Sequence, residues 1–203
     1  MKLQLKSEVL SNVMRIMLTI LVAVAILDLI GSLIFGINES FYMDSVYSLF
    51  SMISIIRAVL YGIICFFYLV WIWKVHSDLN QLFAQYSRTP GAALAAMIIP
   101  IYSLYGLPST FNQMGHTLAQ QAITATQGRR IIKLVAPLIT LFVMNYILGR
   151  LLPDSSDNAA VFILLSVITL AFYMVCLLLT RYISQSLTLL ASNAPEQTNV
   201  LSH

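Results

Sequence analysis

The chain has 203 residues, of which 59% are hydrophobic and only 9% are charged. An ordinary globular domain carries roughly 25% charged residues, and a water-facing surface built from 11 Lys and Arg with 8 Asp and Glu would expose large apolar patches. These totals argue against a soluble enzyme, a nucleic-acid binder or a disordered chain, and point to an integral membrane protein.

The N-terminus imitates a signal peptide, with Lys2, Lys6 and Arg15 flanking the start of an apolar run that holds an Ala23-Val24-Ala25 triplet. The run continues to Ile37, too long for a signal segment, so it reads as an uncleaved first membrane helix. A span needs ~20 mostly apolar residues, because a helix rises ~1.5 Å per residue across a ~30 Å hydrocarbon core. In chain order, four segments qualify. They are 14–36, interrupted by Asp28; 46–73, interrupted by Arg57; 131–152; and 159–180. None alternates apolar and polar residues as a membrane β-strand does over ~10 residues. A fifth apolar stretch, 92–107, is short, contains Pro100 and ends at Gly106 and Pro108. It reads as re-entrant, interfacial or packed on the bundle rather than spanning. The expected fold is an all-α integral membrane domain over 1–203. It has four transmembrane helices, a cytoplasmic-side segment at 74–130 and a flexible tail from about 192. The re-entrant or interfacial helices fall between the second and third spans.

Charge placement gives an orientation. With four spans, one side holds Lys2, Lys6, Arg15, Lys74, Arg88, Arg129, Arg130, Lys133 and Arg181. The opposite loops hold Glu39, Asp44, Asp154 and Asp157, with Arg150 as their one basic residue. That asymmetry follows the positive-inside rule and predicts both termini in the cytoplasm. Five spans would move Arg129, Arg130 and Lys133 outside. Trp71, Trp73 and Tyr182 at the inner ends, and Phe41, Tyr42 and Tyr47 near the outer face, read as membrane-interface anchors.

Beyond Trp73 the helical pattern continues. Trp71, Val75, Leu79, Leu82, Phe83 and Tyr86 share a face until Pro90-Gly91, and Thr89 can cap a new helix that begins at Pro90. Residues 89–128 contain no Lys, Arg, Asp or Glu. Within them Phe111, Met114, Leu118, Ala122 and Ala125 form an apolar stripe, with Asn112, Gln113, His116, Gln120, Gln121 and Thr124 opposite. The absence of Lys and Arg from that polar face favours packing on protein over packing on anionic lipid. The pattern Trp71-x-x-Lys74, Asp78-Leu79, Thr89-Pro90-Gly91-x-Ala93, Ile99-Pro100-Ile101 and Leu107-Pro108 resembles a bacterial four-helix membrane domain family of unknown function. The resemblance covers roughly 60–125 in detail. It departs at Leu107-Pro108-Ser109-Thr110, where the family often places an aromatic after the proline. It implies architecture and carries no activity.

Asp28 and Arg57 are the sharpest polar features, each costing about 2.5–3.5 kcal/mol at a helix centre on insertion scales. Asp28 lies about 12 Å and Arg57 about 16 Å from the outer ends of their helices at ~1.5 Å per residue. Antiparallel neighbours would bring them to similar depth, so an ion pair or shared polar cluster is expected, acting first as a hairpin clamp. Ser166, Thr169, Tyr173, Cys176 and Thr180 form a polar face on the fourth span. Ser51, Ser54, Ala58 and Gly62 form a small-residue face on the second. Ser32 with Gly36 and Asn145 with Gly149 make similar pairs on the first and third. Such faces let helices approach closely; a water-lined conduit would require them to converge on Asp28 and Arg57. Cys65 and Cys176 read as buried inert thiols, and His76 and His116 as solvated interface histidines. No motif supports catalysis, and Ser109, Asp78 and His116 form no aligned triad. No metal, haem or other cofactor is expected.

The leading functional expectation is a non-enzymatic bacterial inner-membrane protein. It would be an accessory, assembly or regulatory subunit acting through helix–helix and lipid contacts, with a protein partner or a second copy and no nucleic acid. The alternative is a small oligomeric channel or transporter that uses the Asp28 and Arg57 pair.

Overall fold

The computed structural model describes residues 5–151 and 159–200, with side chains described except at 100–103, 151 and 194–200. The described residues form helices and connecting turns. Helix α1 spans Glu8–Ile37 and α2 is a single turn at Glu39–Phe41. A π-helical turn at Tyr42–Val46 leads into α3, Tyr47–Leu82. Helices α4 (Pro90–Ile98) and α5 (Pro100–Ala119) come next, then α6 (Ala125–Leu151) and α7 (Ala159–Val200). Four helical segments are long and apolar enough to cross a membrane: Glu8–Ile37, Glu39–Leu82, Ala125–Arg150 and Ala159–Asn193. The chain is an all-α, four-span membrane fold. Asp154 and Asp157 of the last loop, and His203, lie outside the described residues.

Several local features depart from the sequence reading. Helix α3 ends at Leu82, before Pro90-Gly91, and residues 83–89 form a turn and an extended segment. Tyr86 is buried, but from that turn and not from a helix face. Within the tail expected from about 192, α7 continues through Val200. In the stripe opposite Phe111, Thr124 is buried, and its hydroxyl donates to the Leu118 carbonyl at 2.7 Å. It sits in the turn after α5, where a hydroxyl closes the chain better than it solvates a helix.

The chain divides into two compact units. The first comprises Met1–Arg15, Phe67–Ala136 and Leu178–His203. Its core holds Met14, Trp71, Ile72, Leu79, Phe111, Met114, Leu118, Ile131, Leu179, Ile183 and Leu187, all essentially inaccessible. Thr89 caps α4 as its spacing predicts, its hydroxyl accepting from the Ala92 amide at 3.2 Å with Pro90 in the first turn. Ile99 is extended because the following Pro100 disfavours helical backbone before it. The chain reverses there, and α4 and α5 pack as a hairpin. A side chain on Gly106 would lie 2.9 Å from the Ala96 backbone, so only glycine allows this approach. Likewise a Cβ on Gly128 would fall 2.4 Å from the Ala119 nitrogen, where α6 begins against the end of α5.

The second unit comprises Ile16–Phe66 and Pro137–Leu177. Its buried apolar residues are fewer, among them Leu18, Leu21, Val22, Ala25, Ile64, Leu138 and Ile168. Large apolar side chains such as Leu49, Met52, Ile55, Val59 and Phe66 stay exposed, as a lipid-facing surface requires.

Candidate functional site

The second unit carries an acid, a base and a set of hydroxyls brought together by helical spacing. Asp28 and Ser32 are one turn apart on α1, Ser51, Ser54 and Arg57 lie on α3, and Ser166 and Thr169 lie on α7. Arg57 Nη1 and Asp28 Oδ2 form an ion pair. Ser54 Oγ donates to the other carboxylate oxygen at 3.3 Å, and Ser166 Oγ donates to Oδ2 at 3.4 Å. Ser32 Oγ lies 2.8 Å from Ser166 Oγ and donates to the Asp28 carbonyl at 3.1 Å. Thr169 donates to Asn145 Oδ1 at 2.9 Å. A charge taken into low dielectric must find such partners, and this carboxylate is met by a guanidinium and two hydroxyls. The pair is not sealed: 15% of the Asp28 side chain and 27% of the Arg57 side chain remain accessible.

The accessibility comes from a cleft of about 670 Å³ that reaches Asp28, Ser32, Ser54, Arg57, Ser166 and Thr169. Its outer part is aromatic and acidic, lined by Phe35, Glu39, Tyr42, Tyr47, Phe50 and Phe162. Tyr42 is the hub. Its ring centroid lies 5.3 Å from Phe35, 6.3 Å from Tyr47 and 5.9 Å from Phe50, and Phe35 also meets Phe162 at 5.7 Å. Edge-to-face and offset contacts of this kind each add about 0.5–1.5 kcal/mol beyond burial. Gly31 makes room for the cluster, because a Cβ there would come within 2.6 Å of the Phe50 ring. A smaller hollow of about 390 Å³ shares Arg57 and Thr169 and adds Tyr61, Asn145, Tyr146 and Tyr173.

The local sequence builds the mouth of the cleft. Asn38 ends α1 and caps α2, its side-chain oxygen accepting from the Phe41 amide at 3.0 Å. The helix then widens, with the Tyr47 amide bonding the Tyr42 carbonyl five residues back. At ~3.6 residues per turn, residues five apart would point to separate sides. The wider turn instead brings Tyr42 and Tyr47 into ring contact on the cleft wall.

The other residues singled out by sequence have different places. On the fourth span, Ser166 and Thr169 join the polar cluster. Tyr173 is buried beside Tyr61, with ring centroids 5.9 Å apart, and Cys176 is half-buried. Cys65 is exposed, not buried.

The motif residues belong to the first unit. Trp71 is fully buried and not an interface anchor, and its Nε1 donates to Ser11 Oγ at 2.9 Å. Two turns later, the buried Asp78 carboxylate accepts the backbone amides of Lys6 at 3.0 Å and Ser7 at 2.9 Å. An acid at the start of α1 satisfies orphan donors and complements the helix dipole. Lys74 is half-buried and Trp73 exposed, while Pro90 and Gly91 open α4. Pro100 opens α5 and Pro108 lies inside it.

Arg88 reaches from the connecting segment to the Gly106 carbonyl at 3.4 Å, to Ser109 Oγ at 3.2 Å and to Thr110 Oγ1. His76 is buried, not solvated. Its Nδ1 lies 2.9 Å from the Ile72 carbonyl, and its ring is 5.7 Å from Tyr86, whose phenol burial holds above its ordinary pKa. His116 is exposed. Ser109 and Asp78 are thus engaged with separate partners. Sequence reading missed Ser7 and Ser11, whose four-residue spacing on one helix face was the available signal. It also missed the aromatic hub at Tyr42. Among the described residues, no group of three His, Cys, Asp or Glu side chains is placed to hold a metal.

Comparison with family models, with curated proteins and with solved structures finds no match to this chain. What its own sequence and structure identify is an all-α membrane fold with four helices long and apolar enough to span a bilayer.

Proposed function

We propose that the chain is a non-enzymatic bacterial inner-membrane protein with both termini cytoplasmic. In this reading it works as an accessory, assembly or regulatory subunit through lipid and helix–helix contacts with a protein partner or a second copy. The observation that carries the reading is the state of its small residues. Gly62 on α3 and Gly149 on α6 have no neighbour within 4 Å of a would-be side chain. Glycine in a membrane helix serves close helix approach, and at these two positions the approaching helix is not supplied by the described chain. Only 6% of the most apolar stretch of Glu39–Leu82 is buried, which leaves that surface for lipid or a neighbouring helix. The resemblance of residues 60–125 to a four-helix family enters the proposal as architecture alone.

Extraction into native nanodiscs followed by mass measurement tests this reading. A homo-oligomer or a stoichiometric complex is expected, and a lone chain at all protein concentrations would overturn it. A second reading, a small oligomeric channel or transporter, is favoured by the convergence of Asp28, Arg57, Ser54, Ser166 and Thr169 on one cleft. Liposomes containing the purified chain would then pass protons, ions or small solutes, and no flux above empty liposomes would exclude it.

A further inference from the structure

The cleft combines three features that the clamp role of Asp28 and Arg57 does not require. Its volume, about 670 Å³, falls within the ~300–1,000 Å³ of ordinary small-molecule sites. Its wall is an aromatic cluster centred on Tyr42, with Phe35, Tyr47 and Phe50 around it. Its charge balance is negative. Arg57 is held by Asp28 and cancels it, which leaves the Glu39 carboxylate as the excess charge at the mouth. Among the described residues, no basic side chain except Arg57 lines the cleft.

The π-helical turn is an independent pointer to the same place. Such turns are rare, form weaker backbone geometry than α-helix and recur at functional sites. This one has a definite local effect, since it places both Tyr42 and Tyr47 on the cleft wall. A helix needing only to cross a bilayer gains nothing from it.

From these observations we infer that the cleft binds an organic monocation with an apolar body, such as a quaternary ammonium or phosphonium ion. The aromatic faces attract the cation through their negative quadrupoles, an interaction of about 2 kcal/mol or more when desolvated. Glu39 supplies the opposing charge, and the serines of the floor hold any water that remains. An anion of the same shape meets the Glu39 carboxylate and the same negative ring faces, and is rejected. This inference goes beyond the accessory reading, because binding requires neither a partner nor flux.

Tetraphenylphosphonium and tetraphenylborate are nearly identical in shape and opposite in charge, so they separate charge recognition from greasy partitioning. Equilibrium dialysis of the full chain in detergent, with empty micelles subtracted, reads each ion. One saturable phosphonium site per chain is expected, with no saturable borate component. Glu39→Gln and Tyr47→Leu, each checked for an unchanged melting temperature, should weaken the phosphonium at least tenfold. Tyr42→Leu, which removes the hub, should weaken it further. Saturable borate binding of equal strength, purely linear uptake of the phosphonium, or unaltered affinity in both Glu39→Gln and Tyr47→Leu would each overturn the inference.

Discussion

The two units of this chain solve the same problem in different ways. In the first, side chains as large as Trp71, Phe111 and Met14 are sealed completely, and glycines at 106 and 128 bring backbone to within 3 Å of where a methyl would sit. Its polar groups serve structure, with Asp78 capping α1 and Arg88 stitching the segment before α4 to α5. In the second unit, among the described residues, only Leu21 of the largest side chains is sealed to that degree, and a methyl on Gly62 or Gly149 would meet no neighbour within 4 Å. There the tie is an ion pair with hydroxyl partners, beside a cleft. Close packing stabilises through dispersion and burial, and it leaves no room for a ligand. A polar clamp fixes register with few contacts, so the helices around it can stay open to lipid, to a neighbour or to a small molecule.

That contrast can be broken or sharpened by substitution. The largest effect is expected in the first unit. Trp71→Ala leaves a cavity and an unpartnered Ser11 hydroxyl, at a cost of about 3–5 kcal/mol. Thermal melting followed by size-exclusion chromatography should show a large loss of monodisperse protein, and a variant as stable as the parent would contradict the sealed core.

Next in size is the ion pair. Asp28→Asn or Arg57→Gln strands a partly buried charge and should cost about 1–3 kcal/mol each. The double variant should recover part of that loss, with a coupling energy of about 0.5–3 kcal/mol. Strict additivity in the cycle would show that the two groups act independently. The smallest and most direct test compares two glycines. Gly106→Ala drives a methyl against the Ala96 backbone and should cost about 1–3 kcal/mol, whereas Gly62→Ala should change the stability of the isolated chain by less than ~0.5 kcal/mol. Equal effects at the two sites would erase the distinction between the units.

The parts of this arrangement that were legible from sequence were those written in local pattern. The four spans follow from runs of apolar residues, and the start of α4 follows from Thr89 and Pro90, where the cap chemistry is contained in four consecutive residues. The matched depth of Asp28 and Arg57 follows from counting along antiparallel helices. Other features depend on contacts that no local window contains. Trp71 read as an interface residue because its partner Ser11 lies sixty residues away, and the amides of Lys6 and Ser7 that meet the Asp78 carboxylate lie further still. His76 read as solvated, whereas it is buried with the Ile72 carbonyl and the Tyr86 ring beside it. The end of α3 at Leu82 was hidden because residues 83–88 keep a helix-compatible composition and Pro90 offered a more obvious stop. The π-helical turn has no compositional signature at all, since it is a one-residue slip in backbone bonding.

The pinning of α1 also has a bearing on the order of synthesis. The first helix is made first, yet the groups that hold its beginning, the Trp71 indole and the Asp78 carboxylate, follow it by 60 to 72 residues. At a synthesis rate of ~5–20 residues per second, that interval is roughly 3–14 s. Through it the N-terminal turn has a helix to start but no carboxylate to cap it. The start of α1 is thus completed from α3, and a chain interrupted before residue 78 would carry a first span whose leading turn is left loose.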